Sequence, residues 1–114
     1  MSQASQPTNA VVASDQARSY DALVLHDDDS VATAVTALES DDVARVAWPD
    51  GQVRERQVVE TVPFGHKFAL TEVGKGQPIL KYGEPIGLAR ETIQAGVHVH
   101  THNVDSQRGR GDLA

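Results

Sequence analysis

Hydrophobic and polar positions change rhythm several times along the 114-residue chain. Ala22-Leu23-Val24-Leu25, followed by His26, is a short apolar run of the kind that forms a buried strand. Val31, Ala32, Ala34, Val35 and Leu38 fall at i, i+1, i+3, i+4 and i+7, one apolar face of a two-turn helix. Asp27-Asp28-Asp29-Ser30 ahead of it offers carboxylates and an N-cap. A calcium loop is the rival for the three aspartates, but the glycine and distal glutamate of such a loop are missing. Asp41-Asp42 ends the predicted helix. Val43 to Trp48 and Gln52 to Val59 then flank Pro49-Asp50-Gly51, whose proline presets φ and whose glycine accepts a left-handed conformation, a hairpin signal. Ala44, Val46 and Trp48 alternate to the inner face; Arg54 and Arg56 turn the return strand toward water. Trp48 reads as core, with a ligand-stacking platform as its alternative.

From Pro63 to Asn103 the pattern repeats itself. Ala69, Val73, Gly76 and Ile79 are answered at the same spacing by Ala89, Ile93, Gly96 and Val99. Lys67 to Leu70, Pro78 to Leu80 and Val97 to Val104 are expected extended, and Glu91 to Gln94 as one helical turn. Gly74, Gly76, Gly83, Gly87 and Gly96 are expected where the chain reverses, and Gly65 where the backbone approaches something closely. Met1 to Tyr20 is polar and aperiodic and cannot offset its ordering entropy, which predicts a disordered tail over 1–20. A single mostly β domain (α+β through its one helix) is expected over 21–104, with a flexible tail over 105–114.

Composition narrows the functional classes. A net charge of −6 speaks against nucleic-acid binding, which needs a basic face. The absence of cysteine excludes disulfides, thiolate metal sites and thiol nucleophiles. No apolar run approaches the ~20 residues that span a bilayer, and no basic, then apolar, leader opens the chain. A cytoplasmic protein with no membrane partner is the expectation. Aspartate outnumbers glutamate and lysine is scarce, a balance that both chance and adaptation to high salt would produce.

Four of the five histidines stand at the two ends of the repeat, in Gly65-His66-Lys67 and in His98-Val99-His100-Thr101-His102-Asn103. On a strand, residues two apart share a face roughly 6.5–7 Å apart, which would line His98, His100 and His102 along one side. Two such imidazoles can chelate a transition metal, but a site wants further ligands, and His66 is the local candidate. Acid–base or substrate-binding work is the second reading, since imidazole titrates near neutral pH and Lys67 would pair a carboxylate. Polar histidines at a strand edge or a partner contact are the plain alternative. No nucleophile elbow, second pocket wall or nearby carboxylate cluster is legible. The pattern is half of a site.

PFGHKFAL, KGQPILKYGEPIGLA and AGVHVHTHN, in that order, closely resemble the N-terminal antifreeze-like (SAF) domain of altronate and galactarate dehydratases. The resemblance covers about Ala22 to Asn103 and implies a β-clip fold. It implies a lyase role, the removal of water from a sugar acid, with a divalent metal, usually iron, held mainly by a large partner domain and none certain on this chain. His66 and Lys67 match one motif, Lys81, Tyr82 and Gly83 the second, and His98, His100, His102 and Asn103 the third. His100 and His102 are therefore the expected catalytic residues and the possible metal ligands. His66, Lys67, Tyr82 and Asn103 are the expected substrate-binding ones. The fused enzymes continue into a large catalytic domain where this chain stops, so the expected protein is the small subunit of a two-chain dehydratase, inactive alone. A sulfolactate-type carbon–sulfur lyase subunit and a non-catalytic carbohydrate-binding module are the alternatives.

Overall fold

The computed structural model describes residues 20–106, and within them the regular elements are short strands. β1 (Ala22–Leu23), β2 (Val31–Ala34), β3 (Val43–Ala47), β4 (Val53–Gln57), β5 (Lys67–Ala69) and β8 (His98–Val99) form one sheet, in the order β4-β3-β1-β2-β5-β8. β6 (Pro78–Lys81), β7 (Glu84–Ala89) and β9 (Val104–Ser106) form a second, in the order β6-β7-β9. β1 and β3 run parallel; the other pairs are antiparallel. The mostly β class is as expected, and no helix occurs among the described residues.

The helix predicted over Val31–Leu38 is replaced by β2 and a loop. Four of its five apolar positions are buried and Val35 is half-buried, and the four bury on two sides. Val31 belongs to one apolar cluster, with Ala69, Val73, Ile79, Ala89, Ile93 and Val99; Ala32, Ala34 and Leu38 belong to another, with Val24, Val46, Val58, Val62 and Phe68. A strand presents alternate residues to opposite faces, so a segment flanked by two cores shows mixed spacing. β-Branched Val31 and Thr33 suit that role, and β2 is paired on both edges, by β1 and by β5. The aspartates ahead of it cap a turn instead. Asp29 is buried, and its carboxylate accepts from the backbone N–H groups of Leu25 (3.3 Å) and Gly83 (2.8 Å). Ser30 joins the sheets: its hydroxyl accepts from Leu80 N–H at 2.8 Å, and its own N–H donates to the Leu80 carbonyl at 3.1 Å.

The predicted hairpin is present, with Gly51 at φ 88° closing the turn between β3 and β4. Ala44 and Val46 are fully buried and Trp48 packs on their cluster, while the guanidinium groups of Arg54 and Arg56 lie 4.9 and 5.8 Å from its ring centroid. Trp48 is thus core on one face and covered on the other. The helical turn expected at Glu91–Gln94 is a bend that bridges Ile93 to Val73. Gly87 lies inside β7 rather than at a reversal. A Cβ there would stand 2.5 Å from the Asp105 carbonyl, so the close approach assigned to Gly65 belongs to Gly87. Gly65, at φ 83° with nothing within 4 Å of an added Cβ, is a turn residue. β9 carries the domain to Ser106, two residues into the expected tail; the remainder of both expected tails lies outside the described residues.

The internal repeat is a pair of turns related by exchange. Val73 and Ile93 trade N–H···O bonds at 2.8 Å, Gly76 N–H donates to the Ala89 carbonyl, and Gly96 N–H donates to the Ala69 carbonyl. A second pair follows the same scheme. Leu38 and Val62 trade bonds at 2.9 Å, Gly65 N–H donates to the Ala34 carbonyl, and Asp41 N–H donates to the Val58 carbonyl. Each of the four units closes with a bond from its fourth turn residue to its first, at 39–42, 63–66, 74–77 and 94–97. The third residue has positive φ in all four: Asp41, Gly65, Gly76 and Gly96. Turns of that kind favour glycine there.

Candidate functional site

The histidines come together where one such turn meets the end of the long sheet. His66 is the fourth residue of the turn 63–66 and leads directly into β5. β8 pairs antiparallel with β5, setting His98 opposite Phe68 and Val99 opposite Lys67. The strand expected from Val97 to Val104 stops at Val99, so the three histidines do not line one strand face. A turn follows, closed by Asn103 N–H donating to the His100 carbonyl at 3.1 Å. It curls His100 and His102 back over His98. The rings of His66 and His100 stack at 4.3 Å between centroids, and His98 lies 5.1 Å from His66 and 5.5 Å from both His100 and His102. His66 Nδ1 and His98 Nε2 are 2.9 Å apart, a hydrogen bond when one of them carries the proton.

Asn103 holds this turn in place. Its side chain is 1% exposed; its amide donates to the His98 carbonyl and its oxygen accepts from His100 N–H, both at 2.9 Å. Both polar ends are engaged within the chain, which makes it the brace of the histidine turn rather than a group offered to a ligand. Lys67 does face the site. With Ile86, Val99, His100, Thr101 and Val104 it lines an open hollow of about 210 Å³. Partial burial, and then the charge of Lys81, hold its ammonium below the usual lysine range. Tyr82 stands apart, exposed at the β6–β7 turn with φ 59° and the Lys81 ammonium 5.5 Å from its ring centroid. None of the ring contacts of the histidine cluster includes it.

Desolvation, and then the neighbouring imidazoles, push His98 below the ordinary histidine value, while Glu60 pulls the other way. His100 is lowered too, by desolvation first and then by His66, Lys67 and His102. At His98 and His100 the surroundings therefore favour the neutral ring, which can accept a proton or ligate a cation. A divalent metal, the group implied by the sequence resemblance, is compatible with these donors: one ligand atom from each of His66, His98 and His100 lies within 4.8 Å of the others. Glu60, His98 and His102 make a second such group. His100 and His102, paired in the sequence reading, fall in different groups, and His98 is common to both.

Glu60 is the residue that sequence reading missed. Its carboxylate accepts from His98 N–H at 3.3 Å. It precedes His66 by six residues, a spacing that carries no signal until the turn at 63–66 folds the segment back.

The altronate/galactarate dehydratase SAF-domain model matches residues 20–107. The chain belongs to this family. Altronate dehydratase of Escherichia coli (strain K12) is 46% identical over 79 residues, which are 69% of this chain but 15% of that enzyme. Galactarate dehydratase (L-threo-forming) of the same organism is 36% identical over 72 residues, 63% of this chain and 13% of that enzyme. The alpha subunit of the (2R)-sulfolactate sulfo-lyase of Chromohalobacter salexigens is 34% identical over 89 residues, 75% of this chain and 94% of that subunit. The SAF domain thus spans a small part of the dehydratases it matches and nearly the whole of a lyase subunit. Among the described residues, no helix is long and apolar enough to cross a membrane.

Proposed function

We propose that this SAF domain is the small subunit of a two-chain cytoplasmic lyase that eliminates water from a sugar acid, and that its histidine turn closes over the active site of a large metal-dependent subunit. The observation that carries the reading is the open, one-sided site. Four imidazoles and Lys67 gather beside a hollow whose remaining lining is apolar or neutral, with solvent where a second wall would stand. The 94% coverage of a lyase subunit supports a separate chain in that role.

The substrate class follows from the charges. A 2-hydroxy acid presents a carboxylate to the Lys67 ammonium, with Lys81 adding to the local positive field. In the elimination, the proton α to the carboxylate is removed, the carbon–carbon double bond forms, and the β-hydroxyl leaves with a proton as water. His100, exposed at the rim and held in its neutral form, is suited to accept a proton; His102 is suited to return one to the leaving hydroxyl. Stacking against His66 and the brace of Asn103 fix the His100 ring and backbone before substrate arrives. A divalent metal, when bound, would stabilise the developing enediolate charge. His66, His98 and His100 form one group of this chain able to hold it and Glu60, His98 and His102 another, and whichever of His100 and His102 ligates the ion leaves proton transfer to the other. Every other ligand, and the second wall, would come from the large subunit. Alone, the chain is inactive in this reading.

Elimination of sulfite from sulfolactate is the second reading, favoured by the near full-length match to the sulfo-lyase subunit. The same lysine and histidines would serve it, because only the leaving group changes. The test is co-purification of the tagged chain with its partner, followed by assays of the complex on altronate, galactarate and sulfolactate. Turnover of a sugar acid by the complex and by neither chain alone is expected. Turnover of sulfolactate alone selects the second reading. A complex inactive on all three, or a chain that captures no partner, overturns both.

A further inference from the structure

We propose that the chain carries its own transition-metal site, formed by His66, His98 and His100, and that it binds the ion without the partner. This deepens the lyase reading by assigning ligands to the small subunit, yet it stands on geometry that needs no partner. Three imidazoles contribute one ligand atom each within 4.8 Å of one another, and they come from two segments, the turn 63–66 and the stretch 98–103, with the backbone fixed at each ligand. The turn bond from His66 N–H to the Pro63 carbonyl (3.0 Å) holds the first, β-pairing with Phe68 holds the second, and the Asn103 side chain holds the backbone of the third. Ligands pre-placed this way lose little freedom on binding.

The short approach between His66 Nδ1 and His98 Nε2, 2.9 Å, has two chemical uses. One ring can donate a proton to the other, or a cation can replace that proton and receive both lone pairs. His100 would add a third nitrogen, and any further ligand would come from outside this group. Neutral nitrogen donors without thiolates suit zinc, cobalt, nickel or ferrous iron rather than calcium or magnesium. Glu60 accepts from the backbone N–H of His98 and so steadies the residue common to both groups. A competing group, Glu60 with His98 and His102, shares the central histidine, so one ion occupies one group or the other.

The experiment is calorimetric titration of the untagged, chelator-stripped full chain with zinc(II) and cobalt(II), with metal content read after gel filtration. One equivalent is expected. His100→Ala is the informative variant because its side chain is exposed and its loss leaves the core intact. It should weaken binding about 100-fold, as should His66→Ala and His98→Ala, whose folding is checked by the melting of the stripped chain. His102→Ala, Glu60→Gln and His26→Ala should stay within about tenfold of the parent. No binding by the folded parent, or binding unchanged in His100→Ala, overturns the proposal. Binding lost in His102→Ala and Glu60→Gln but kept in His66→Ala also overturns it and moves the ion to the other group. A complex that turns over while the isolated chain binds no metal would sink this site and leave the lyase reading standing. Metal bound by a chain that supports no turnover would do the reverse.

Discussion

The turn pair built from Ala34–Asp42 and Val58–His66 and the pair built from Ala69–Gln77 and Ala89–Val97 share one backbone scheme and fill it with different side chains. In two of the four turns the fourth residue caps the first: Asp42 accepts from Glu39 N–H, and Gln77 accepts from Gly74 N–H, both at 2.8 Å. In a third the fourth residue is Val97, which cannot accept. In the remaining turn the first residue is Pro63, which has no N–H to offer. His66, the fourth residue there, has no capping work and turns its ring to His98 and His100. This fold finds room for chemistry in its turns. The backbone bonds carry the architecture, and a turn position relieved of its cap becomes a place for a functional side chain.

The third turn position carries the largest expected difference between turns. At Gly96 an added Cβ would combine φ 87° with a 2.5 Å approach to the Gln57 carbonyl; at Gly76 φ is 83° and nothing lies within 4 Å. Gly96→Ala is expected to destabilise by about 3 kcal/mol or more, and Gly76→Ala by about 1 kcal/mol, the conformational cost alone. Urea denaturation of the two variants measures the gap; equal losses would mean that packing between the turn pairs is loose. Asn103→Ala comes next. It strips the partners from His100 N–H and the His98 carbonyl and should cost about 2 kcal/mol in the same measurement, with nearby amides exchanging faster.

Acid provides a further test. The folded state holds His98 and His100 below their ordinary value of 6.5, so the unfolded chain binds protons first as pH falls. Stability of the metal-free chain should therefore be level with respect to these groups above about pH 6.5 and decline below it. In His98→Gln that decline should be shallower, by denaturation across pH 5 to 8; an identical slope would contradict mutual disfavouring of charge in the cluster. The smallest effect belongs to Asp41, which occupies the glycine position of its turn at φ 74°. Relief of strain and gain of unfolded-chain entropy oppose each other there, so Asp41→Gly should change stability by less than about 0.5 kcal/mol.

These contrasts explain what the sequence made legible. The repeat from Ala69 to Val99 could be read because glycine marks both of its turns and the apolar spacing is identical. The matching pair before it was hidden, since Asp41 replaces the glycine and Ala34 and Leu38 fall at a helical spacing. Nothing local distinguishes a helix face from a strand serving two cores; the burial on either side of β2 decides it. Among the site residues, His66, Lys67, His98, His100 and His102 were legible as motif ends, and the structure brings them together. Asn103 was legible as a motif member but not as a brace, because that role depends on the strand ending at Val99 and a turn closing over 100–103. Tyr82 shared a motif with Lys81 and lies exposed outside the cluster. Glu60 belonged to no motif and reaches His98 only through the fold.

Whether the histidine turn acts on substrate is read from the kcat/KM of the reconstituted two-chain complex with single substitutions in this subunit. His100→Ala and His102→Ala should each lower it by about 100-fold, the size of losing a positioned acid–base group, while both variants melt as the parent does. His26→Ala, outside the cluster and exposed, should be silent. Equal and mild losses from all three, or normal turnover at saturating partner with only subunit affinity reduced, would contradict a histidine turn that acts on substrate.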